Sequence, residues 1–159
     1  MPSDSGRHRV LDELMYEMRA HDTASEKFDD AAHDALGLNR TDVRCLDILE
    51  REGGRLTAGA LAKESGLTTA AVTGIIDRLE AKGYARRLRD DSDRRRVFVA
   101  LTPLARERTA RIWGPLANRA DRMLAARPTK DLELLRDWYR AGREMNEREL
   151  ERVRKLSFG

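Results

Sequence analysis

The sequence predicts a mainly α-helical fold with one small β-hairpin, and three features of the chain support this prediction. Most of the chain carries apolar residues at helical spacing, which is typical of amphipathic helices. After Lys82 and Gly83 the spacing changes to alternation, which indicates two strands. The loop between these strands is RDDSDRRR, which contains no apolar residue. With 159 residues, of which 40% are hydrophobic, the chain can bury one core without cross-links.

Two short helices are predicted directly before the hairpin. The first runs from Thr57, its N-cap, to Glu64, and Gly66 supplies the left-handed residue of the turn that follows. The second runs from Thr68, its N-cap, to Lys82. Two helices joined by such a three-residue turn form a helix-turn-helix. The predicted buried stripe of the second helix is Val72, Ile75, Ile76 and Leu79.

The hairpin carries a concentration of positive charge. From Tyr84 to Arg96 there are six arginines and three aspartates, a balance of +3 that equals the net charge of the whole chain. Such a concentration is expected of a loop that meets nucleic-acid phosphates, and a solvated charged turn is the alternative. Its position directly after a helix-turn-helix favours a DNA-binding wing. The residues predicted to share the face that packs on the helices are Leu88, Val97, Val99 and Leu101.

Five short motifs follow one another between Leu56 and Thr102. In chain order they are LTxxxLA, GLTxxxVT, DRLExKG, DRR and a final LT. Each is common alone, but their order and spacing across almost 50 residues are specific. With these motifs, the chain resembles the winged-helix core of the MarR family of bacterial transcriptional regulators. The resemblance implies a homodimer that binds double-stranded DNA at a pseudo-palindromic operator and acts as an effector-responsive repressor.

The resemblance also implies which residues meet DNA. The second helix of the pair would enter the major groove, where Thr68, Thr69 and Thr73 would offer hydroxyl groups to phosphates or base edges. Arg94 would enter the minor groove. Many relatives have an arginine that reaches a guanine edge where this chain has Gly74. The expected DNA-binding residues are Thr68, Thr69, Ala70, Thr73, Gly74, Arg86, Arg94, Arg95 and Arg96.

The segments on either side of this core are expected to hold two copies of the chain together. Residues 1–6 are expected to be disordered, and residues 7–37 are expected to form an N-terminal helix. The winged helix-turn-helix core should span residues 38–102, and the C-terminal helices should span residues 103–159. The N-terminal helix, ~44 Å long, exceeds what one small domain can cover, so a second copy is its simplest partner. In the MarR family such terminal helices form the dimer interface. The predicted stripe of the N-terminal helix is Leu11, Leu14, Met18, His21, Ser25, Phe28, Ala32 and Ala35.

Caps predict where the remaining helices begin and end. Asn39 is expected to cap a helix that Gly53–Gly54 ends. Thr102–Pro103 should start a fifth helix, which Gly114–Pro115 should kink or break. Pro128–Thr129 should open the last helix. The predicted core stripe of the helix capped by Asn39 is Val43, Leu46 and Leu49.

The sequence predicts no enzyme, no metal site and no cofactor. The carboxylate pairs Asp29–Asp30 and Asp90–Asp91 lack the apolar surroundings that would separate their pKa values. The histidines at positions 8, 21 and 33 are scattered, and none has a second imidazole or thiolate at ligand spacing. The glycines of GGRLTAG and ESG match no phosphate-binding loop.

The single cysteine and the absence of long apolar runs indicate a cytoplasmic protein. Cys45 has no partner for an internal disulfide, which suits a reducing cytosol. A buried apolar role for Cys45 is favoured over redox sensing, because sensors in the MarR family tend to lie on the first helix. No apolar run approaches the ~18 residues of a membrane span, and the N-terminus lacks the apolar segment of a signal peptide.

The charge distribution leaves one alternative function open. Residues 1–37 carry four basic and nine acidic groups, residues 38–102 carry 13 and 10, and residues 103–159 carry 14 and nine. A basic C-terminal third with amphipathic helices would also suit a non-specific helical adaptor or interaction module without operator specificity.

Polar residues interrupt the apolar stripe of the N-terminal helix. His21 and Ser25 lie within the stripe, and Tyr16 and Arg19 are one turn away. We expect these four residues to line an effector pocket where helices of two subunits converge. Such crevices bind small anionic aromatic molecules in the MarR family, and a water-filled groove between helix ends is the alternative.

Overall fold

Six α-helices and three short β-strands form the computed structural model, which describes residues 4–89 and 97–157. The predicted fold class, mainly α-helical with a small β wing, is confirmed. The chain divides into two compact units, Met1–Ile112 and Trp113–Gly159. In chain order the elements are α1 (Asp4–Leu36), α2 (Arg40–Arg51), β1 (Arg55–Thr57), α3 (Ala58–Ser65), α4 (Thr69–Ala81), β2 (Ala85–Arg89), β3 (Val97–Leu101), α5 (Pro103–Ala125) and α6 (Thr129–Val153).

Helix α1 begins earlier than the sequence indicated. We expected disorder up to residue 6 and a helix from Arg7, but the helix begins at Asp4. That expectation is wrong for residues 4–6, and residues 1–3 lie outside the described residues. Lengthening an existing helix costs little, because each added residue gains a backbone hydrogen bond without a new nucleation step. Gly37, with φ of 63°, ends the helix as predicted.

Only the C-terminal part of α1 is buried. Ala32 and Leu36 are buried and four residues apart, so they stack on one side of the helix. The predicted stripe ended at Ala35, which is exposed; Leu36 takes its place in the core. Nearer the N-terminus the large apolar side chains stay exposed, namely Val10, Leu11, Leu14, Met15 and Tyr16.

Helix α2 is capped as predicted, but its buried face differs from the predicted core stripe. The Asn39 Oδ1 atom accepts a hydrogen bond from the backbone N–H of Asp42 at 2.9 Å. Gly53 and Gly54, both with φ of 80°, follow the helix. Val43 was expected in the core stripe and is only half-buried. The buried residues are Asp42, Cys45, Leu46, Ile48 and Leu49.

The wing is a three-stranded antiparallel sheet with the order β1, β3, β2. Strand β1 was not predicted, because its three residues are too few to show a period. Leu88 pairs with Phe98, and residues directly opposite in an antiparallel pair share a face. Leu88 therefore lies on the face opposite to Val99 and Leu101, and its predicted grouping with them is wrong. Val99 and Leu101 are buried as predicted, but Val97 is 41% exposed.

Tyr84 is fully buried, and its hydroxyl contacts both α1 and α5. Its hydroxyl donates a hydrogen bond to the Leu36 carbonyl oxygen at 2.9 Å and accepts one from Arg108 Nη1 at 2.8 Å. Leu36 lies in the last turn of α1, where carbonyl groups have no partner within the helix. The hydroxyl of Tyr84 therefore gives the last carbonyl group of α1 a hydrogen-bond donor and connects this end of α1 to α5.

Helix α5 is continuous, so of the expected kink or break at Gly114–Pro115 the break is wrong. The Thr102 Oγ1 atom accepts a hydrogen bond from the Ala105 backbone N–H at 3.1 Å, which confirms the predicted N-cap. Pro115 lies inside the helix, so the predicted interruption at Gly114–Pro115 is not a break. Proline removes one backbone donor, and the hydrogen bonds on either side can still hold the helix.

Helix α6 begins after Pro128 as predicted and contains no buried residue. A helix gains most of its stability by packing an apolar face, so a helix of 25 residues with its apolar face uncovered presents a surface for a partner. The exposed large apolar residues of α6 are Leu134, Leu135, Trp138, Tyr139, Met145, Leu150 and Val153.

Candidate DNA-binding surface

Helices α3 and α4 form a helix-turn-helix with the caps that the sequence predicted. The Thr57 Oγ1 atom accepts a hydrogen bond from the Ala60 backbone N–H, and Thr68 Oγ1 accepts one from Ala71, both at 3.2 Å. Between the helices, Gly66 adopts φ of 68°, which a side chain would disfavour. Each helix lies within one residue of its predicted bounds.

One face of α4 is fixed in the core. Its four apolar residues are each at most 3% exposed, as the helical spacing predicted. The opposite face is therefore presented outward: Thr69, Ala70 and Thr73 are exposed, and Gly74 is half-buried. These residues come together with Thr68 at the start of α4, as expected for a recognition helix. The four core residues are Val72, Ile75, Ile76 and Leu79.

The threonine hydroxyls at this surface have different hydrogen-bonding capacities. Thr73 Oγ1 donates to the Thr69 carbonyl oxygen at 3.0 Å, so its remaining capacity is that of an acceptor. Thr68 Oγ1 accepts the cap hydrogen bond and keeps its own hydrogen to donate. Thr68 can therefore donate to a phosphate or base acceptor, and Thr73 can accept from a base amino group.

An ion pair that the sequence did not reveal connects α4 to α2. Asp42 is 2% exposed, and its carboxylate accepts two hydrogen bonds from Arg78. The Nη2–Oδ1 distance is 2.6 Å and the Nε–Oδ2 distance is 3.3 Å. The hydrogen bond to Asp42 raises the pKa of the Arg78 guanidinium above its ordinary value. The pair fixes the rotation of α4 about its axis, because Arg78 belongs to the same helix as the outward residues.

Gly74 lies beside this arginine. A Cβ atom at Gly74 would be 3.7 Å from Arg78 Nη1, which is an ordinary van der Waals contact. No contact at this position therefore requires glycine among the described residues. The surface of α4 at position 74 is bare backbone, and the Arg78 guanidinium borders it.

Two neighbouring arginines of β2 have different surroundings. Arg86 lies opposite Ala100, is exposed, and has no hydrogen-bond acceptor among residues 4–89 and 97–157. Arg87 lies on the other face and contacts α4. Its Nη2 atom donates to Asp77 Oδ1 at 2.7 Å, its Nη1 atom to Glu80, and its backbone N–H to Glu80 Oε1 at 2.7 Å. Arg86 is available for a phosphate, whereas Arg87 connects the wing to α4.

The acidic partners of Arg87 raise the pKa of its guanidinium, with the hydrogen bond to Asp77 as the largest cause. Sequence reasoning counted Arg87 among the wing charges and missed this role, because nothing in the spacing connects β2 with the last turns of α4. Arg94, Arg95 and Arg96, which we expected to contact DNA, lie outside the described residues.

Comparison with known proteins decides the family. A sequence model of the MarR family matches residues 36–96. A protein named as an uncharacterized HTH-type transcriptional regulator, YcgE of Bacillus subtilis (strain 168), is 36% identical over 132 residues, which are 83% of this chain and 85% of YcgE. The chain belongs to the MarR family. It is therefore a DNA-binding transcriptional regulator of that family.

Solved structures share the MarR-family fold. The disulfide form of AbfR matches with a TM-score of 0.64 at 16% identity, covering 92% of this chain and 96% of AbfR. Reduced AbfR bound to DNA matches with a TM-score of 0.57 at 18% identity, covering 94% of this chain and 98% of AbfR. The transcriptional regulator BldR from Sulfolobus solfataricus matches with a TM-score of 0.52 at 26% identity, covering 91% of this chain and 99% of BldR.

The four residues expected to bind an effector in this MarR-family protein lie on α1 but not on one face. An α-helix turns by about 100° per residue, so His21 and Ser25 are ~40° apart, and Tyr16 and Arg19 are ~60° apart. The two pairs point in directions that differ by ~120–180°. Tyr16 is 70% exposed, Arg19 and His21 are exposed, and Ser25 is half-buried. A single copy of α1 does not bring the four residues together.

Cys45 is fully buried in α2, which agrees with its interpretation as a small core residue. Burial is the main cause that raises the pKa of its thiol above the ordinary value, and the Asp42 charge adds to this. A raised pKa keeps the thiol protonated, and the thiolate is the reactive form. Cys45 is therefore placed as a packing residue.

A metal site, a membrane span and a small-molecule cleft each set requirements that bear on the described part of the chain. In that part, no group of three or more His, Cys, Asp or Glu residues could hold a metal ion. No helix there is both long and apolar enough to cross a membrane. A small open cleft of about 150 Å³ is lined by Glu26, Asp29, Asp30, His33 and Arg40.

Proposed function

We propose that this MarR-family regulator binds a pseudo-palindromic operator as a homodimer and represses transcription there. The observation that carries the proposal is the outward face of α4, whose direction is set by four buried side chains and by the ion pair of Arg78 with Asp42. A helix presented in this way fits the major groove. Two such helices in a dimer would enter successive major grooves about 10 bp apart.

The wing would add contacts on each side of the major-groove contact. Arg86, exposed and without an acceptor among the described residues, suits a phosphate. From the sequence, Arg94 would enter the minor groove with Asp93 holding it, and Arg95 and Arg96 would contact phosphates or brace the loop. Arg87 would keep the wing at a constant position relative to α4, because it donates to Asp77 and to Glu80.

Exposed apolar residues in both compact units support the homodimer. In the first unit, α1 leaves five large apolar side chains uncovered, including Val10 and Leu14. In the second unit, α6 has no buried residue and exposes Trp138 and Tyr139. Surfaces of this kind mark interfaces between proteins. Sedimentation at micromolar concentration tests the proposal: a dimer supports it, and a folded monomer contradicts it.

An effector would act on the α1 surface. His21 and Ser25 share one side of α1 and interrupt its apolar stripe, so they would offer polar contacts to a small anionic aromatic molecule at the dimer interface. Tyr16 and Arg19 would have to come from another face or from the second copy. Calorimetry with a panel of phenolic acids, on the wild type and on His21→Ala, tests this. Equal binding by both proteins would remove His21 from the site.

The alternative function, a non-specific basic adaptor, is weakened by the pairing of charges on α6. The arginines of α6 and of its C-cap mostly contact acidic residues one turn away, which leaves less free positive charge than the composition indicates. The pairs one turn apart are Arg140 with Asp137, Arg143 with Glu147, Arg152 with Glu149 and Arg154 with Glu151, and Arg136 pairs with the adjacent Asp137.

A gel-shift titration against genomic fragments separates the two functions. Electrostatic binding without specificity would shift all fragments similarly, and it would weaken uniformly as the salt concentration rises. A regulator should shift a few fragments at concentrations at least ~1000-fold lower than the others. A reporter gene placed behind a selected fragment then tests repression: expression should fall when the protein is present, and a rise would indicate activation.

A further inference from the structure

The Arg78 guanidinium has one edge engaged and another free. A guanidinium carries five N–H donors in a planar fork. The Asp42 carboxylate takes the Nε donor and one Nη2 donor. The second Nη2 donor and both Nη1 donors have no acceptor among residues 4–89 and 97–157. These remaining donors form the outer edge of the fork, and the side chain is 49% exposed.

The free edge lies next to the outward face of α4. Arg78 follows Gly74 by one helical turn, and residues four apart in a helix are neighbours on its surface. The Nη1 atom lies 3.7 Å from the position that a Gly74 Cβ would occupy. Since Gly74 has no side chain, nothing on α4 at that position stands between the guanidinium and a ligand that approaches the helix.

We propose that Arg78 is a specificity-determining DNA contact, in which Asp42 holds one edge of the guanidinium and the free edge donates to O6 and N7 of a guanine. This inference rests on the proposed function, in which α4 enters the major groove. Two parallel N–H donors match the two acceptors that guanine presents there. Because the buried Asp42 carboxylate orients the fork before binding, less side-chain entropy is lost on contact.

A purely structural role for the pair makes a different prediction. If Arg78 only holds α4 against α2, its replacement changes stability and lowers affinity for every DNA sequence alike. If Arg78 reads a guanine, its replacement changes which base is preferred at one position of each half-site. Base preference therefore separates the two roles, and stability does not.

The experiment compares the full chain with Arg78→Lys and with Arg51→Lys. Lysine at position 78 keeps a positive charge for Asp42 and loses the fork, so it should fold. Arg51 is exposed and, among residues 4–89 and 97–157, pairs only with Asp47 on α2, which makes Arg51→Lys a matched control for the same chemical change. Each protein is used to select duplexes from a randomised pool, and circular dichroism first establishes that each is folded. The affinity of each protein for duplexes with single-base changes follows.

For the wild type we expect a guanine at one position per half-site, preferred over other bases by about 5- to 150-fold. Arg78→Lys should reduce that preference to a few-fold and leave the other positions unchanged, and Arg51→Lys should return the wild-type motif. Asp42→Asn, which keeps Arg78 and removes its charged anchor, should keep guanine as the preferred base with a smaller ratio. If Arg78→Lys does not fold, the paired variant Asp42→Asn with Arg78→Gln provides the same comparison without a buried charge.

Three outcomes would overturn the inference. One is the same motif with the same base ratios from the wild type and from Arg78→Lys. The second is an equal loss of affinity for all duplexes, which would make Arg78 a phosphate contact or a structural residue. The third is a changed base preference in Arg51→Lys as well. A wild type that enriches no motif would instead refute the proposed function, so the two failures are distinguishable.

Discussion

The Asp42 carboxylate is buried and the Arg78 guanidinium that binds it is half exposed, although the two residues are 36 positions apart in the chain. This asymmetry predicts unequal costs for removing either partner. Arg78→Ala leaves a buried carboxylate unpaired and should lower the free energy of unfolding by about 3–5 kcal/mol. Asp42→Ala leaves an arginine that water can solvate and should cost less, about 1–2 kcal/mol.

Urea unfolding at a fixed protein concentration measures both costs, since association would otherwise change the apparent stability. The double variant should be close to Asp42→Ala in stability, because the buried charge is then absent. Equal costs for the two single variants would show that the carboxylate is not isolated from water.

Tyr84→Phe removes the hydroxyl that connects the end of α1 with α5. The Leu36 carbonyl oxygen loses its donor, and the Arg108 guanidinium loses an acceptor but can turn to water because that residue is exposed. We expect the free energy of unfolding to fall by about 1–2 kcal/mol. Tyr139→Phe, at an exposed position on α6, is the matched control and should change it by less than about 0.5 kcal/mol. Equal effects from both substitutions would mean that the buried hydroxyl contributes nothing.

Arg86 and Arg87 are adjacent, and the structure predicts opposite phenotypes for their alanine variants. Arg86→Ala should leave stability unchanged and reduce the slope of log affinity against log salt by about 0.9 per lost phosphate contact per subunit. Arg87→Ala should lower the free energy of unfolding by about 1 kcal/mol, a modest value because its partners are partly exposed. Thermal unfolding together with binding at several salt concentrations measures both quantities. The reverse pattern would contradict the assignment of the two faces of β2.

The buried thiol of Cys45 predicts a loss of stability at alkaline pH. Burial raises the pKa of Cys45 above its ordinary value of 9.0, so in the folded state the proton is held more tightly than in the unfolded chain. The resulting stabilisation is complete below about pH 9 and is lost as the pH rises toward the folded-state pKa, at up to about 1.4 kcal/mol per pH unit. Urea unfolding between pH 8 and 10 measures the slope. Cys45→Ala should show a shallower slope, and identical slopes would mean that Cys45 does not contribute.

The features that the sequence predicted well are local ones. Thr57 and Thr68 each accept a hydrogen bond from a backbone N–H three residues later. Gly66 is favoured at its position by its own left-handed backbone conformation. The apolar stripe of α4 follows from helical spacing alone. These features define α4 and its outward face without knowledge of the rest of the fold.

The features that the sequence did not predict depend on contacts between distant segments. Asp42 is an acidic residue in the first turn of α2, and its burial becomes evident only when α4 brings Arg78 against it. Leu88 was assigned to the wrong face, because alternation along one strand does not fix the register with the next. The role of Arg87 likewise depends on how β2 lies against α4.

The most direct test of a homodimer that reads DNA through α4 is selection by the wild-type protein from a pool of randomised duplexes, followed by sequencing. We expect an enriched motif of two inverted half-sites centred about 10 bp apart, because two copies of α4 would enter successive major grooves. The stoichiometry of the selected complex should be two chains per duplex. Enrichment of no motif, or of a single unpaired half-site bound by one chain, would contradict a homodimeric regulator that reads its operator through α4.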